Sequence, residues 1–256
     1  MTGAAADGCV RVSDDDRIRR ITLDRPGKAN ALTTPMMRAV AGAIASASRD
    51  GVRMIVLSGN GARGFCAGAD LGELAGGPAQ HRAQAEALLK LTASFADAPV
   101  PVVSLVHANC LGAGVMLACL SCVVIAAADA AIGFPEMQFG MFPAMVHAVL
   151  LERVAAPLAY QLCIGSGRLS AAEARQIGIV TDVLAAEQFA EKSRERCGFY
   201  ADRLAALACA RRADRREAVM PVVERVRRAR ALIEENLAAP EVHVLLESAL
   251  RRGRRA

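Results

Sequence analysis

Residues 100–127 read VPVVSLVHANCLGAGVMLACLSCVVIAA. Val100 to Val106 is a short apolar, β-branched run of the kind that forms a buried strand. Glycines at 112 and 114 punctuate the chain, Gly112 to Cys119 has the length of a short helix, and Val123 to Ala127 is a second apolar strand. Leu111 to Ala128 lacks charge over about the length that a bilayer span needs, but Gly112, Gly114, Cys119, Ser121 and Cys122 interrupt it. It therefore reads as a buried helix followed by a buried strand, not as a membrane span. Strand, glycine loop, helix, strand is the signature of an α/β core.

The flanking sequence extends the alternation. Cys9 to Leu23 reads as two strands around the acidic turn Asp14-Asp15-Asp16, and Thr34-Pro35 as a helix start with Thr34 as N-cap, followed by Met37, Val40, Ala41 and Ile44 at helical spacing. Val52 to Leu57 is a strand, Ser58 to Asp70 a glycine-punctuated loop, and Ala79 to Ala98 a helix with Leu88, Leu89, Leu91 and Phe95 on its buried side. Ser170 and Glu173 form a capping box, with Gly178 as the residue past the helix end, and Val180 to Leu184 is a strand. From Ala186 onward the pattern is helical. This divides the chain into a core over 1–184 and a helical region over 185–256, with no linker between independent domains.

Composition agrees with a packed, non-disordered protein. Of 256 residues, 54% are hydrophobic and 22% charged, with a mean hydropathy of +0.28. Net charge is +5, but the basic residues gather after Arg194 at helical spacing, and only 4% of residues are aromatic, with no Trp. Base-stacking platforms are poorly supplied, so the basic face reads as a solvated helix surface and no nucleic-acid partner is expected. Met1 to Asp7 has neither a basic nor an apolar leader segment, and the cysteines at 9, 66, 110, 119, 122, 163, 197 and 209 are scattered through apolar runs. Both features point to a cytoplasmic protein with reduced thiols. Cys119 and Cys122 have no second pair, so no metal site is expected.

Four segments, in order, resemble the enoyl-CoA hydratase/isomerase (crotonase) family. They are Leu23-Asp24-Arg25-Pro26 through Asn30-Ala31-Leu32, Gly64 through Leu71, Asn109 through Leu117, and Phe134-Pro135-Glu136. The resemblance implies a crotonase-like spiral of repeated ββα units with a C-terminal helical trimerisation region, giving a homotrimer or dimer of trimers. It also implies an acyl-CoA thioester substrate, coenzyme A arriving as part of that substrate with no separate cofactor.

By the same resemblance, the N–H groups of Ala69 and Ala113 form an oxyanion hole for a thioester enolate, and Glu136 is the acid/base. Lys28, Ala67, Gly68, Asp70, Leu71, Gly112, Met116 and Pro135 fall at substrate- or CoA-binding positions. Glu136 lies in an apolar segment, which predicts a raised pKa. Among the places where the sequence departs from the family's pattern, two fall in and just after the second glycine loop. Ala113 stands where glycine is usual, and Met116 stands where hydratases carry a second glutamate. One carboxylate suffices to move a proton between two carbons, so Met116 shifts the expectation from hydration of the enoyl-CoA toward double-bond isomerisation or another enolate reaction. The alternative is an acyl-CoA-binding protein with impaired catalysis. His147 and Glu73 are the other conceivable acid/base groups, although Glu73 reads more simply as an exposed first-turn glutamate.

Overall fold

The computed structural model describes residues 9–204 and 240–253 continuously and, between them, 206–207, 211, 222–224, 226–227, 230, 233–234 and 237–238. Two sheets organise the described chain. The first has six strands in the order β1 (Val10–Asp15), β2 (Ile18–Leu23), β3 (Met54–Gly59), β5 (Val102–Val106), β7 (Val123–Ala127) and β10 (Asp182–Leu184). Only the β1–β2 hairpin in it is antiparallel. Its turn falls on Asp16 and Arg17, both at positive φ (45° and 66°), the geometry that matches the twist of the flanking strands.

The second sheet runs β4 (Gly64–Cys66), β6 (Asn109–Leu111), β8 (Ala131–Gly133) and β9 (Arg168–Ser170). Its first three strands are parallel and β9 is antiparallel to β8. In chain order, a strand of the first sheet, a strand of the second and a helix follow one another at β3–β4, β5–β6 and β7–β8. The helices are α2 (Leu71–Leu74) with α3 (Pro78–Ala96), α4 (Ala113–Leu120), and α5 (Ala144–Leu150), the last after a 3-10 turn at Pro135–Phe139.

The central strands β3, β5 and β7 are almost wholly buried, which is why they read as nearly unbroken apolar runs. Phe65, Phe95 and Phe134 are the largest of the wholly buried side chains. Arg19, only 5% exposed, is paired with Asp14 and Asp50 and donates to the Ala43 carbonyl and Ser46, so its buried charge is satisfied.

Several boundaries move. The N-cap of α1 (Thr34–Ser46) is Thr33, whose hydroxyl accepts from the Met36 N–H, while Thr34 is already helical. The segment 58–70 is not all loop: β3 continues to Gly59, and β4 lies within it. Asn109 to Leu111 is likewise a strand, and α6 (Ala156–Gly165) had no counterpart in the sequence reading. The capping box at Ser170 and Glu173 is present at the start of α7 (Ala171–Gln176), and Gly178 adopts φ +88°. Beyond β10 come α8 (Phe189–Ala201) and α9 (Pro240–Gly253). No helix among the described residues is long and apolar enough to cross a membrane.

Candidate active site

The parallel strands β4 and β6 end side by side, and the chain leaving each supplies one wall of a cavity of about 340 Å³. Clefts at the carboxyl ends of parallel strands are the usual ligand sites of α/β folds.

After β4, Leu32 pairs with the loop as an isolated bridge. Its N–H donates to the Gly68 carbonyl (2.7 Å), and its carbonyl accepts from the Asp70 N–H (2.9 Å). Because Gly68 and Asp70 face Leu32, the intervening Ala69 N–H faces the other way, and it has no hydrogen-bond partner among the described residues. After β6, Gly112 is the N-cap of α4, and its N–H is held by the Gly133 carbonyl (2.9 Å). Ala113 is the first helical residue, so its N–H is one of the four that a helix leaves unpaired, and no described residue accepts from it.

The two loops approach backbone to backbone. Gly68 adopts φ +101° and Gly112 φ +50°, conformations that side chains oppose. A Cβ on Gly68 would press on the Leu111 carbonyl (3.2 Å), with Ala113 N at 3.6 Å, and one on Gly112 would collide with Glu136 Oε1.

Glu136 reaches this meeting point from the 3-10 turn, where Pro135 begins the turn and Gly140, at φ +73°, ends it. Its Oε2 is sealed from solvent without a partner, alone in this respect among the side-chain nitrogens and oxygens of the described residues. Burial pushes the carboxyl pKa up from about 4.5 to about 7.

Of the residues singled out from the sequence, Ala67, Gly68, Ala69, Leu71, Gly112, Ala113, Pro135 and Glu136 all line the cavity. Four others do not. Met116, on α4, is 1% exposed and packs in the hydrophobic core. Asp70 caps α2 by accepting from the Glu73 N–H, and it pairs with Arg25 at 2.6 Å, a structural role. Lys28 is exposed in the 3-10 turn Pro26–Lys28. His147 is half-buried against Phe142 (ring centroids 5.4 Å), and burial lowers its pKa.

Glu73 is not an exposed first-turn glutamate. It is half-buried and accepts from the Thr34 N–H (2.9 Å), the Thr34 hydroxyl (2.7 Å) and Gln84 Nε2 (3.2 Å), clamping α2 onto α1. Asn30, fully buried, ties Arg25 N–H to the Asn60 and Gly64 carbonyls, which accounts structurally for the motif around Arg25-Pro26.

The sequence reading missed His81 and Gln84 of α3, Arg168 of β9, and Ile233 and Leu237, all of which line the cavity. For α3 the signal was present: His81, Gln84 and Leu88 recur at the spacing of one helix face. For Arg168, Ile233 and Leu237 it was not, since only the fold brings them near.

The sequence model of the family described as "Enoyl-CoA hydratase/isomerase" matches residues 14–251. The chain belongs to this family. Among its relatives, the "Putative enoyl-CoA hydratase/isomerase YngF" of Bacillus subtilis is 32% identical over 184 residues, 71% of each chain. The "2,3-dehydroadipyl-CoA hydratase" of Escherichia coli K12 is 32% identical over 174 residues, 67% of this chain and 68% of that one. A crystal structure of an enoyl-CoA hydratase/isomerase from Xanthobacter autotrophicus Py2 superposes with a TM-score of 0.83 at 25% identity, covering 96% of this chain and 94% of that one. That of an enoyl-CoA hydratase from Bacillus halodurans reaches 0.85 at 17% identity, covering 94% of this chain and 99% of that one, a likeness of fold. As a family member the chain is an enoyl-CoA hydratase/isomerase-type enzyme with a mixed α/β fold of parallel sheets, and its homologues act on acyl-CoA thioesters.

Proposed function

We propose that this enzyme moves a proton between two carbons of an enoyl-CoA through a thioester enolate, isomerising the double bond rather than adding water across it. The single observation that carries the proposal is the sealed, partnerless Oε2 of Glu136 in a carboxyl beside two unpaired main-chain N–H groups. Ala69 and Ala113 donate to the thioester oxygen. Fixed donors in a water-poor cavity stabilise charge as it develops, and each is worth about a hundredfold or more in rate. Glu136 as the carboxylate takes the proton from the carbon next to the thioester. The electrons pass to the oxygen, the double bond shifts, and the resulting carboxylic acid returns the proton two carbons further along. A pKa near 7 suits both directions at neutral pH.

Water addition asks for a second group to hold and activate the water. Met116 offers no carboxylate and lies in the core, and Glu73 spends its oxygens on Thr34 and Gln84. Both observations favour isomerisation.

Coenzyme A enters with the acyl group and no further cofactor is required. The chain functions as a ββα spiral with a C-terminal helical region that assembles it as a trimer or a pair of trimers in the cytoplasm; of the expected divisions 1–184 and 185–256, residues 1–8 and much of 205–239 lie outside the described residues. The test is a mass-spectrometric screen of 2-enoyl-, 3-enoyl- and branched acyl-CoA esters. Rearrangement of a 3-enoyl ester without mass change is expected, and gain of water by a 2-enoyl ester as the main reaction would overturn the assignment.

A further inference from the structure

The wall of the cavity that α3 supplies carries two polar side chains which the proton transfer does not use. His81 is 5% exposed and Gln84 3% exposed; they stand one turn apart on the same helix face, and both line the cavity beside Leu74 and Leu88. Gln84 Nε2 donates to the Asp70 carbonyl (3.2 Å) and to Glu73 Oε2 (3.2 Å). Two acceptors around one nitrogen fix the orientation of the amide and use both of its hydrogens, so Oε1 is an acceptor with no donor among the described residues.

His81 Nε2 meets the Leu74 carbonyl, which as an acceptor requires the proton on Nε2 and leaves Nδ1 a bare lone pair. Burial, with His243 and Arg82 nearby, lowers the pKa of the ring and keeps it neutral. Neither acceptor is sealed without a partner as Glu136 Oε2 is, and both residues line the cavity.

An acceptor kept in an apolar cavity without a donor is costly, and a ligand that brings the donor removes the cost. We propose that Gln84 Oε1 and His81 Nδ1 select acyl chains that carry a hydroxyl over hydrocarbon chains of the same length. A chain ending in a carboxylate would set acceptor against acceptor, and an ammonium would have to shed its water in an apolar cavity. The hydroxyl is therefore the group that this wall fits. The inference rests on reading the cavity as the acyl-thioester site.

Calorimetric titration of the full chain with octanoyl-CoA, its 5-, 6-, 7- and 8-hydroxy derivatives, and the eight-carbon dicarboxylic mono-CoA ester tests it. At least one hydroxyl position should bind roughly threefold to tenfold more tightly than octanoyl-CoA, the gain from one net hydrogen bond. The dicarboxylic ester should bind more weakly than octanoyl-CoA. Gln84→Met should lower the hydroxyl preference. Because it also frees Asp70 and Glu73, His81→Phe provides a second reading: it keeps a ring against His243 (centroids 6.2 Å) and removes only the lone pair and the bond to Leu74. Octanoyl-CoA binding with no preference for any hydroxyl would overturn this inference and leave the proposed function standing. If octanoyl-CoA does not bind at all, the reading of the cavity falls and takes this inference with it.

Discussion

Glu136 and Glu73 are two glutamates in short turns near one cavity, and their surroundings are opposite. Glu73 is saturated: a backbone N–H, a hydroxyl and a side-chain amide all donate to it, and through them α2 is fastened to α1 and α3. Glu136 has a wholly buried oxygen with no donor, and burial raises its pKa to about 7. A carboxylate whose lone pairs are all occupied serves the fold. One kept dry and unpaired costs the fold something and is available for chemistry. The contrast separates a structural acid from the proposed catalytic one more sharply than proximity to the cavity does.

The largest effect that sharpens this contrast comes from the loops that Glu136 faces. Proline is tolerated at the first position of a helix, so Ala113→Pro should leave α4 folded while deleting the N–H proposed to hold the enolate. Turnover should fall by about a hundredfold or more, whereas Ala113→Gly, which keeps the N–H, should retain it. Steady-state rates on one substrate, with circular dichroism to check folding, decide the matter. An active proline variant would mean that the donor lies elsewhere.

A smaller effect, in stability, should have opposite signs at the two glutamates. Glu73→Ala removes three accepted hydrogen bonds and should cost roughly 1–3 kcal/mol, a fall of several degrees in melting temperature by scanning calorimetry. Glu136 behaves otherwise. Its pKa in the folded chain lies above the usual carboxylate value, so it contributes most to stability below about pH 4.5 and loses that contribution as pH rises through about 7. Above that, the buried charge costs on the order of 3 kcal/mol. Glu136→Gln should therefore melt higher than the parent at pH 8, with the advantage shrinking toward pH 4.5. Equal melting curves at pH 8 would contradict the burial of an ionised group.

What the sequence made legible follows from the range of the forces involved. Apolar runs and caps are local, so the strands of the first sheet, α1, α3, α4 and the capping box of α7 could be read within a few residues of their ends. The second sheet could not. Its strands β4, β6 and β9 are three residues each, too short for any periodicity, and they exist because parallel neighbours complete their hydrogen bonds.

The site divides the same way. Ala69, Ala113 and Glu136, the residues proposed for the chemistry, were named through the family resemblance of two glycine loops and an acid in apolar surroundings, whereas the burial of Met116 depends on how α4 is rotated against the core. The clamp on Glu73 depends on Thr34 and Gln84, which lie 39 and 11 residues away in sequence. No local pattern encodes either fact.

The central claim is that Glu136, as a carboxylate, is the base of the reaction. Its most direct test is the pH dependence of the single-turnover rate on the best substrate, measured for the parent chain and for Glu136→Gln. The parent rate should rise with pH to a plateau, with its half-point near the value of about 7 that burial gives this carboxyl. Glu136→Gln should be slower by about a hundredfold or more on the plateau and should lose that half-point. A Glu136→Gln rate close to the parent's, or an unchanged half-point near 7 in the variant, would contradict the account.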